Sequence, residues 1–254
     1  MSGTETFRCE RHGAVAVVVF AGLHHANALS RERMRALTIL LRELEADASV
    51  LAVVLRAEEG MSFSVGCDFN ETRHFTDGTE VDDWTDDIAD VCVAGLAVTK
   101  PTVAALDGHV IGVGLLIALA CDYHVGSESC SLRMPHFRLG IAGILGGYVL
   151  ERTAGRHVMQ QMLMTGESWS PEAALADGLL HEVVPDKDLA ATALKRAEDF
   201  ATYSGPAFRS TKHFLNQDHI HGLRKAQHEA RISNRAGFAM GLPQRRMRTI
   251  LGQD

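Results

Sequence analysis

Residues 14–20 (AVAVVVF) are apolar without interruption and predict a buried strand. The next stretch changes period. Met34, Leu37, Leu41 and Leu44 mark one face of a helix that follows Ser30, a residue suited to an N-cap, and runs to about Asp47. Further short apolar runs predict strands at residues 51–56, 102–106, 121–125, 130–133 and 179–184. Between them, Val81, Trp84, Ile88 and Val91 fall at helical spacing, and residues 115–121 are apolar on every side, as in a helix deep in a core. A further helix holds Tyr148, Val149 and Leu150, with the pairs Gly140/Gly143 and Gly146-Gly147 ahead of it, and Ser170-Pro171-Glu172 opens another. Beyond Pro185 the pattern predicts helices at about 187–202, 206–216 and 223–237. Strands alternating with helices place the chain in the α/β class, with crossovers and a mostly parallel sheet.

Two strand-to-helix turns stand out. At Asp107-Gly108 and Gly112-Val113-Gly114 a strand passes through glycines into the apolar helix, which leaves N–H groups at the helix start without partners. These donors, aided by the helix dipole, suit a developing negative charge. Residues 62–71 (SFSVGCDFNE) repeat the arrangement, with Asp68 and Glu71 spaced as a capping box. Two donors converging on one oxygen make an oxyanion hole. Neither glycine pattern fits a dinucleotide fingerprint or a phosphate loop.

Composition narrows the classes. With 254 residues and 46% hydrophobic content the chain is sized for one large domain or a domain with a small appendage. A net charge of −7 argues against nucleic acid as a partner. No apolar run reaches the roughly 18 residues of a membrane span, and the first residues lack a signal core, so a cytoplasmic enzyme is expected. Five scattered cysteines without C-x-x-C spacing read as reduced thiols. His24-His25 and His219/His221 lack a metal-ligand pattern, so no metal site is expected. Residues 71–90 carry eight carboxylates, read as the solvated face of an amphipathic helix.

Asn27-Ala28-Leu29-Ser30, Phe63 through Phe69, Lys100-Pro101-Thr102 through Asp107-Gly108, Ala120-Cys121-Asp122, Met134-Pro135, Leu163 to Gly166 with Ala174 to Gly178, and Val183-Val184-Pro185 occur in an order that resembles the crotonase (enoyl-CoA hydratase/isomerase) superfamily over nearly the whole chain. The SFSVGCDFNE, DDW and AFRSTKHFLN segments most resemble its carboxymethylproline synthase branch. The resemblance implies a spiral of ββα units over residues 1–200 and a C-terminal helical region, 201–254, that covers the site and mediates a homotrimer or a dimer of trimers. It implies an acyl thioester of coenzyme A or of an acyl carrier protein as substrate, with no separate cofactor. The backbone N–H groups of Cys67 and Val113 match the oxyanion hole, and Ala28, Leu29, Ser64, Val65, Gly66 and Asp68 match the loops that hold coenzyme A.

The departures from the family pattern bear most directly on function. Hydratases place glutamates at the positions matching Leu116 and His136, and water addition needs acid/base groups there. Ordinary hydratase activity is therefore not expected. Leu116 would present an apolar wall to the acyl group. His136, whose residue type titrates near 6.5, is the candidate proton carrier for an enolate formed by decarboxylation, C–C bond formation or isomerisation. Asn234 lies where the synthase branch contacts substrate, and His109 sits beside the second turn. Arg209, Lys212, Arg224 and Lys225 are candidate contacts for coenzyme A phosphates. Two other readings stay open. Pro135-His136-Phe137 also resembles the 6-oxocamphor hydrolase-like β-diketone hydrolases, which cleave a C–C bond by a retro-Claisen step, although the aspartate they add in the following loop has no counterpart at Ile144-Leu145. A catalytically silent thioester-binding member would carry the same turns.

Overall fold

A computed structural model describes residues 7–21, 26–76, 78–203 and 205–253, so His24 and His25 lie outside the described residues. The strands are β1 (Phe7–His12), β2 (Val15–Phe20), β3 (Ala52–Ala57), β4 (Thr102–Leu106), β5 (His109–Ile111), β6 (Tyr123–Ser127), β7 (Ser131–Arg133) and β8 (Glu182–Val184). The helices are α1 (Arg31–Ala46), α2 (Phe69–Thr72), α3 (Gly78–Ala97), α4 (Val113–Leu119), α5 (His136–Leu139), α6 (Ile144–Thr165), α7 (Pro171–Ala176), α8 (Leu189–Ala201), α9 (Pro206–Ala239) and α10 (Leu242–Ile250). Six strands form one sheet in the order β1-β2-β3-β4-β6-β8, parallel except for the β1-β2 hairpin. A second, parallel pair joins β5 to β7.

The unbroken apolar run of β2 is explained by burial on both faces, the usual situation of a parallel sheet covered by helices. Ala16, Val18 and Phe20 join the core that α1 covers through Met34, Leu37 and Leu41. Val15, Val17 and Val19 face the other way, onto Leu189, Ala193 and Ala197 of α8. All seven residues of α4 are buried, as its apolar surface requires.

Several local expectations are corrected by what sits opposite each residue. Residues 206–216 and 223–237 belong to one continuous helix, α9. Gly222 does not break it, because the ring of Tyr148 packs where a side chain would be, and the Tyr148 hydroxyl donates to the carbonyl of His219 (3.2 Å). Gly146 and Gly147 lie inside α6 rather than ahead of it. The capping box does not close. Asp68 accepts from the N–H of Asn70 (2.8 Å), but Glu71 reaches across to the N–H of Arg31 at the start of α1 (2.9 Å). The acidic face of α3 is not free in solvent either. Asp83 and Asp87 pair with Arg31 (2.9 Å each), Asp87 with Arg35 (2.7 Å), and Asp82, Asp86 and Asp90 with Arg235, Arg231 and Arg224 of α9. These pairs clamp α3, and with it the wall of the site, between α1 and α9.

Candidate active site

The two glycine-bearing turns run side by side. Phe63 and Ser64 donate to the carbonyls of Asp107 (2.8 Å) and His109 (3.0 Å), and Ile111 donates back to Ser64 (2.9 Å). On its other side the first turn is tied to the 26–29 loop. Val65 donates to Ala26 (3.0 Å), Leu29 to Gly66 (2.8 Å), and Asp68 to Leu29 (3.0 Å). Asn27, buried in a left-handed conformation (φ 46°), pins this loop by donating to Phe20 (3.2 Å) and Ser62 (2.9 Å). Gly66 has φ +90°, and a Cβ there would stand 2.8 Å from the Ile111 carbonyl oxygen and 3.5 Å from the Val113 nitrogen. Only glycine lets the turns approach so closely. The N–H groups of Cys67 and Val113 are left over, with no acceptor among the described residues. Val113 opens α4, so its amide also carries the positive end of the helix dipole.

Both turns border one partly open cavity of about 50 Å³. Val65, Gly66 and Cys67 form one side, and Ile111, Gly112 and Val113 the next. Pro135 and His136 stand at the start of α5, and Phe69, Trp84, Ile88, Leu139 and Ile141 line other parts of the wall. The His136 Nδ1 is buried and has no hydrogen-bond partner. Burial alone lowers its pKa to about 4, so the ring is neutral at physiological pH. Burial pushes the Cys67 thiol up to about 12, and Trp84 Nε1 donates to its sulfur (3.3 Å). A protonated, hydrogen-bonded thiol is a poor nucleophile.

Other sequence candidates lie elsewhere. Leu116 is 1% exposed in the core, one turn into α4, and does not line the cavity. Asn234 is buried and engaged on both sides, accepting from Ala142 N–H (3.2 Å) and donating to Thr85 (3.2 Å). His109 is exposed on β5, and its carbonyl holds the first turn. Ser64 is fully buried, donating to the Asn27 carbonyl (2.9 Å) and accepting from Gly66 (3.1 Å), so its hydroxyl shapes the loop. Ala28 gives its carbonyl to Arg33 (2.9 Å). Lys212 is buried and paired with Asp122 (2.6 Å). Trp84, read from periodicity as a core residue, is the site residue that pattern missed, and its indole N–H, which needs a partner when buried, was the available signal.

The enoyl-CoA hydratase/isomerase family model matches residues 10–238. Carboxymethylproline synthase of Pectobacterium carotovorum subsp. carotovorum is 30% identical over 244 residues, covering 96% of this chain and 98% of that protein. A probable enoyl-CoA hydratase of Rhizobium meliloti is 31% identical, over 84% of this chain and 82% of its own length. Among solved structures, ThnE from S. clavuligerus is 44% identical with a TM-score of 0.78, covering 89% of this chain and 99% of that one. Human mitochondrial delta3-delta2-enoyl-CoA isomerase shares the fold at 23% identity, with a TM-score of 0.89 over 98% of this chain and 97% of that one.

Proposed function

This chain belongs to the enoyl-CoA hydratase/isomerase, or crotonase, family, and we propose that it stabilises the enolate of an acyl thioester. The observation that supports this reading is a pair of unpartnered amides, Cys67 and Val113, on turns locked together at Gly66 and bordering the cavity that holds His136. The thioester carbonyl oxygen accepts from both N–H groups, and the charge that develops on it meets fixed dipoles beside a largely apolar wall. Such a donor typically contributes roughly 3–4 kcal/mol to the transition state. The neutral His136 imidazole takes a proton from the α-carbon and returns it to the enolate. Its basicity, low in the empty cavity, rises once the enolate oxygen stands nearby, because opposite charges favour one another in a poorly screened site. With Leu116 and His136 replacing the two glutamates of hydratases, the supported reactions are isomerisation, C–C bond formation or decarboxylation rather than hydration.

The test uses acetyl-CoA. At millimolar ligand the melting temperature rises, by mass action on the folded state. In D₂O the parent protein exchanges the α-protons of acetyl-CoA, and His136→Ala loses the exchange while keeping the thermal shift. Exchange at the parental rate in His136→Ala removes the imidazole from the mechanism. A protein that cleaves β-diketones and ignores coenzyme A esters is a retro-Claisen hydrolase, and tight ester binding with no chemistry marks a silent member.

A further inference from the structure

The indole N–H of Trp84 takes no part in the enolate chemistry itself. Trp84 is 3% exposed, its ring packed at a steep angle against Phe75 and Phe238 with centroids 6.4 and 5.6 Å away. A buried indole needs an acceptor, and this one donates to the Cys67 sulfur (3.3 Å). Sulfur is a weak acceptor, so the bond adds little to stability and its consequence is geometric. Cys67 is the residue whose N–H lacks an acceptor at the first turn, among the described residues. In the planar Gly66-Cys67 peptide that N–H points opposite to the Gly66 carbonyl, which accepts from the N–H of Leu29 (2.8 Å). Leu29 thus fixes the peptide from its far side, and Trp84 fixes Cys67 through the side chain. Trp84 is itself held in place, because its neighbours on α3, Asp83 and Asp87, pair with Arg31 (2.9 Å each).

Resting on the enolate reading above, we infer that Trp84 is a positioning residue for the Cys67 donor. Its N–H draws the Cys67 sulfur toward α3 and so keeps the Cys67 amide aimed at the thioester oxygen. A thiol released from the indole lets the side chain and backbone of Cys67 turn together, and the amide loses its alignment. Hydrogen bonds weaken steeply off line. The loss falls on the transition state, where the oxygen carries charge, more than on ground-state binding. The sulfur and the indole act as one unit, so removing either has the effect of removing both.

The experiment is a double-mutant cycle in the full-length protein, read as kcat and KM for α-proton exchange of acetyl-CoA in D₂O. Trp84→Phe keeps an aromatic ring and removes the N–H, and Cys67→Ala removes the sulfur and keeps the amide. Each is expected to lower kcat about tenfold with KM within about twofold of the parent, a fraction of the roughly hundredfold or more lost with a whole donor. The double variant should lose about tenfold as well, because the two changes cut the same link. Cys67→Ser, whose hydroxyl also accepts from an indole N–H, should regain most of kcat alone and none of it beside Trp84→Phe. Losses that multiply to about a hundredfold, or a parental kcat in Cys67→Ala, overturn the inference and leave the enolate reading standing. If Trp84→Phe does not fold, Cys67→Ala and Cys67→Ser decide by themselves, and equal rates for the two overturn the inference. Absence of exchange in the parent removes the enolate reading and the inference with it.

Discussion

The protein buries polar groups in two regions and treats them in opposite ways. At the amino-terminal ends of β4 and β6 they are paired. Lys212 Nζ donates to the Lys100 carbonyl (2.8 Å) and to Asp122 (2.6 Å), and Asp122 also accepts from the N–H and hydroxyl of Thr102 (2.8 and 2.9 Å). Lys100 itself, fully buried, donates to the carbonyls of Leu44 and Asp47 at the end of α1. His124 places its ring nitrogens 3.0 and 3.1 Å from the carbonyls of Leu179 and Cys121. In the cavity the amides of Cys67 and Val113 and the Nδ1 of His136 face no protein partner among the described residues. An unpaired buried polar group costs about 1–3 kcal/mol. The first region ties strands together, while the second leaves hydrogen-bonding capacity without a protein partner among the described residues.

The largest expected effect tests the paired region. Lys212→Met leaves the Lys100 carbonyl without its donor and Asp122 without its cation. Breaking a fully buried pair costs about 3–5 kcal/mol, and the 31% exposure of the Asp122 side chain lowers this to about 2–3 kcal/mol. Urea unfolding measures it, and acetyl-CoA should still raise the melting temperature of the variant. A loss under about 1 kcal/mol would mean that the pairs do not hold the strands and that the contrast between the regions is false.

How far the sequence reaches depends on the range of each interaction. Residues 102–106 form a strand with the expected bounds, and the two turns come after strands as their glycines require, because apolar runs and glycine conformations are local properties. The unpartnered amides at the two turns were readable for the same reason. Partners across the fold were not. Lys212 looks like any helix-surface cation until β4 and β6 close over it. The acids at 82–90 look solvated until Arg31, Arg35, Arg224, Arg231 and Arg235 arrive from helices about 50 residues before or about 140 after them in the chain. Asn234 reads as a substrate contact by position, and only packing shows that Thr85 and Ala142 occupy its amide. Periodicity says which face is buried, whereas identity of the neighbour is decided by the tertiary fold.

The two histidines sharpen the contrast to a difference between residues of one type. Burial, the largest influence on each, lowers both His124 and His136 to about 4, so their titration alone does not distinguish them. Their surroundings do. At pH 7.5 the neutral ring donates one N–H to one of the two carbonyls, so His124→Phe leaves that buried carbonyl without its donor and is expected to lose about 2 kcal/mol. His136→Phe removes a group that already lacks a partner, so stability there should change by less than about 1 kcal/mol while acetyl-CoA exchange disappears. pH then checks the burial of both. Below about 6.5 the unfolded chain binds a proton at each histidine that the folded protein refuses until about 4. This contribution is fully present above 6.5 and is lost as pH falls toward 4, at about 1.4 kcal/mol per pH unit for each histidine. Each Phe variant should therefore flatten the decline between pH 6.5 and 4.5 by about one proton, read from urea midpoints across that range. Equal losses for the two variants at pH 7.5 would show that His136 is as firmly tied into the fold as His124, and would leave the contrast between the two regions without support.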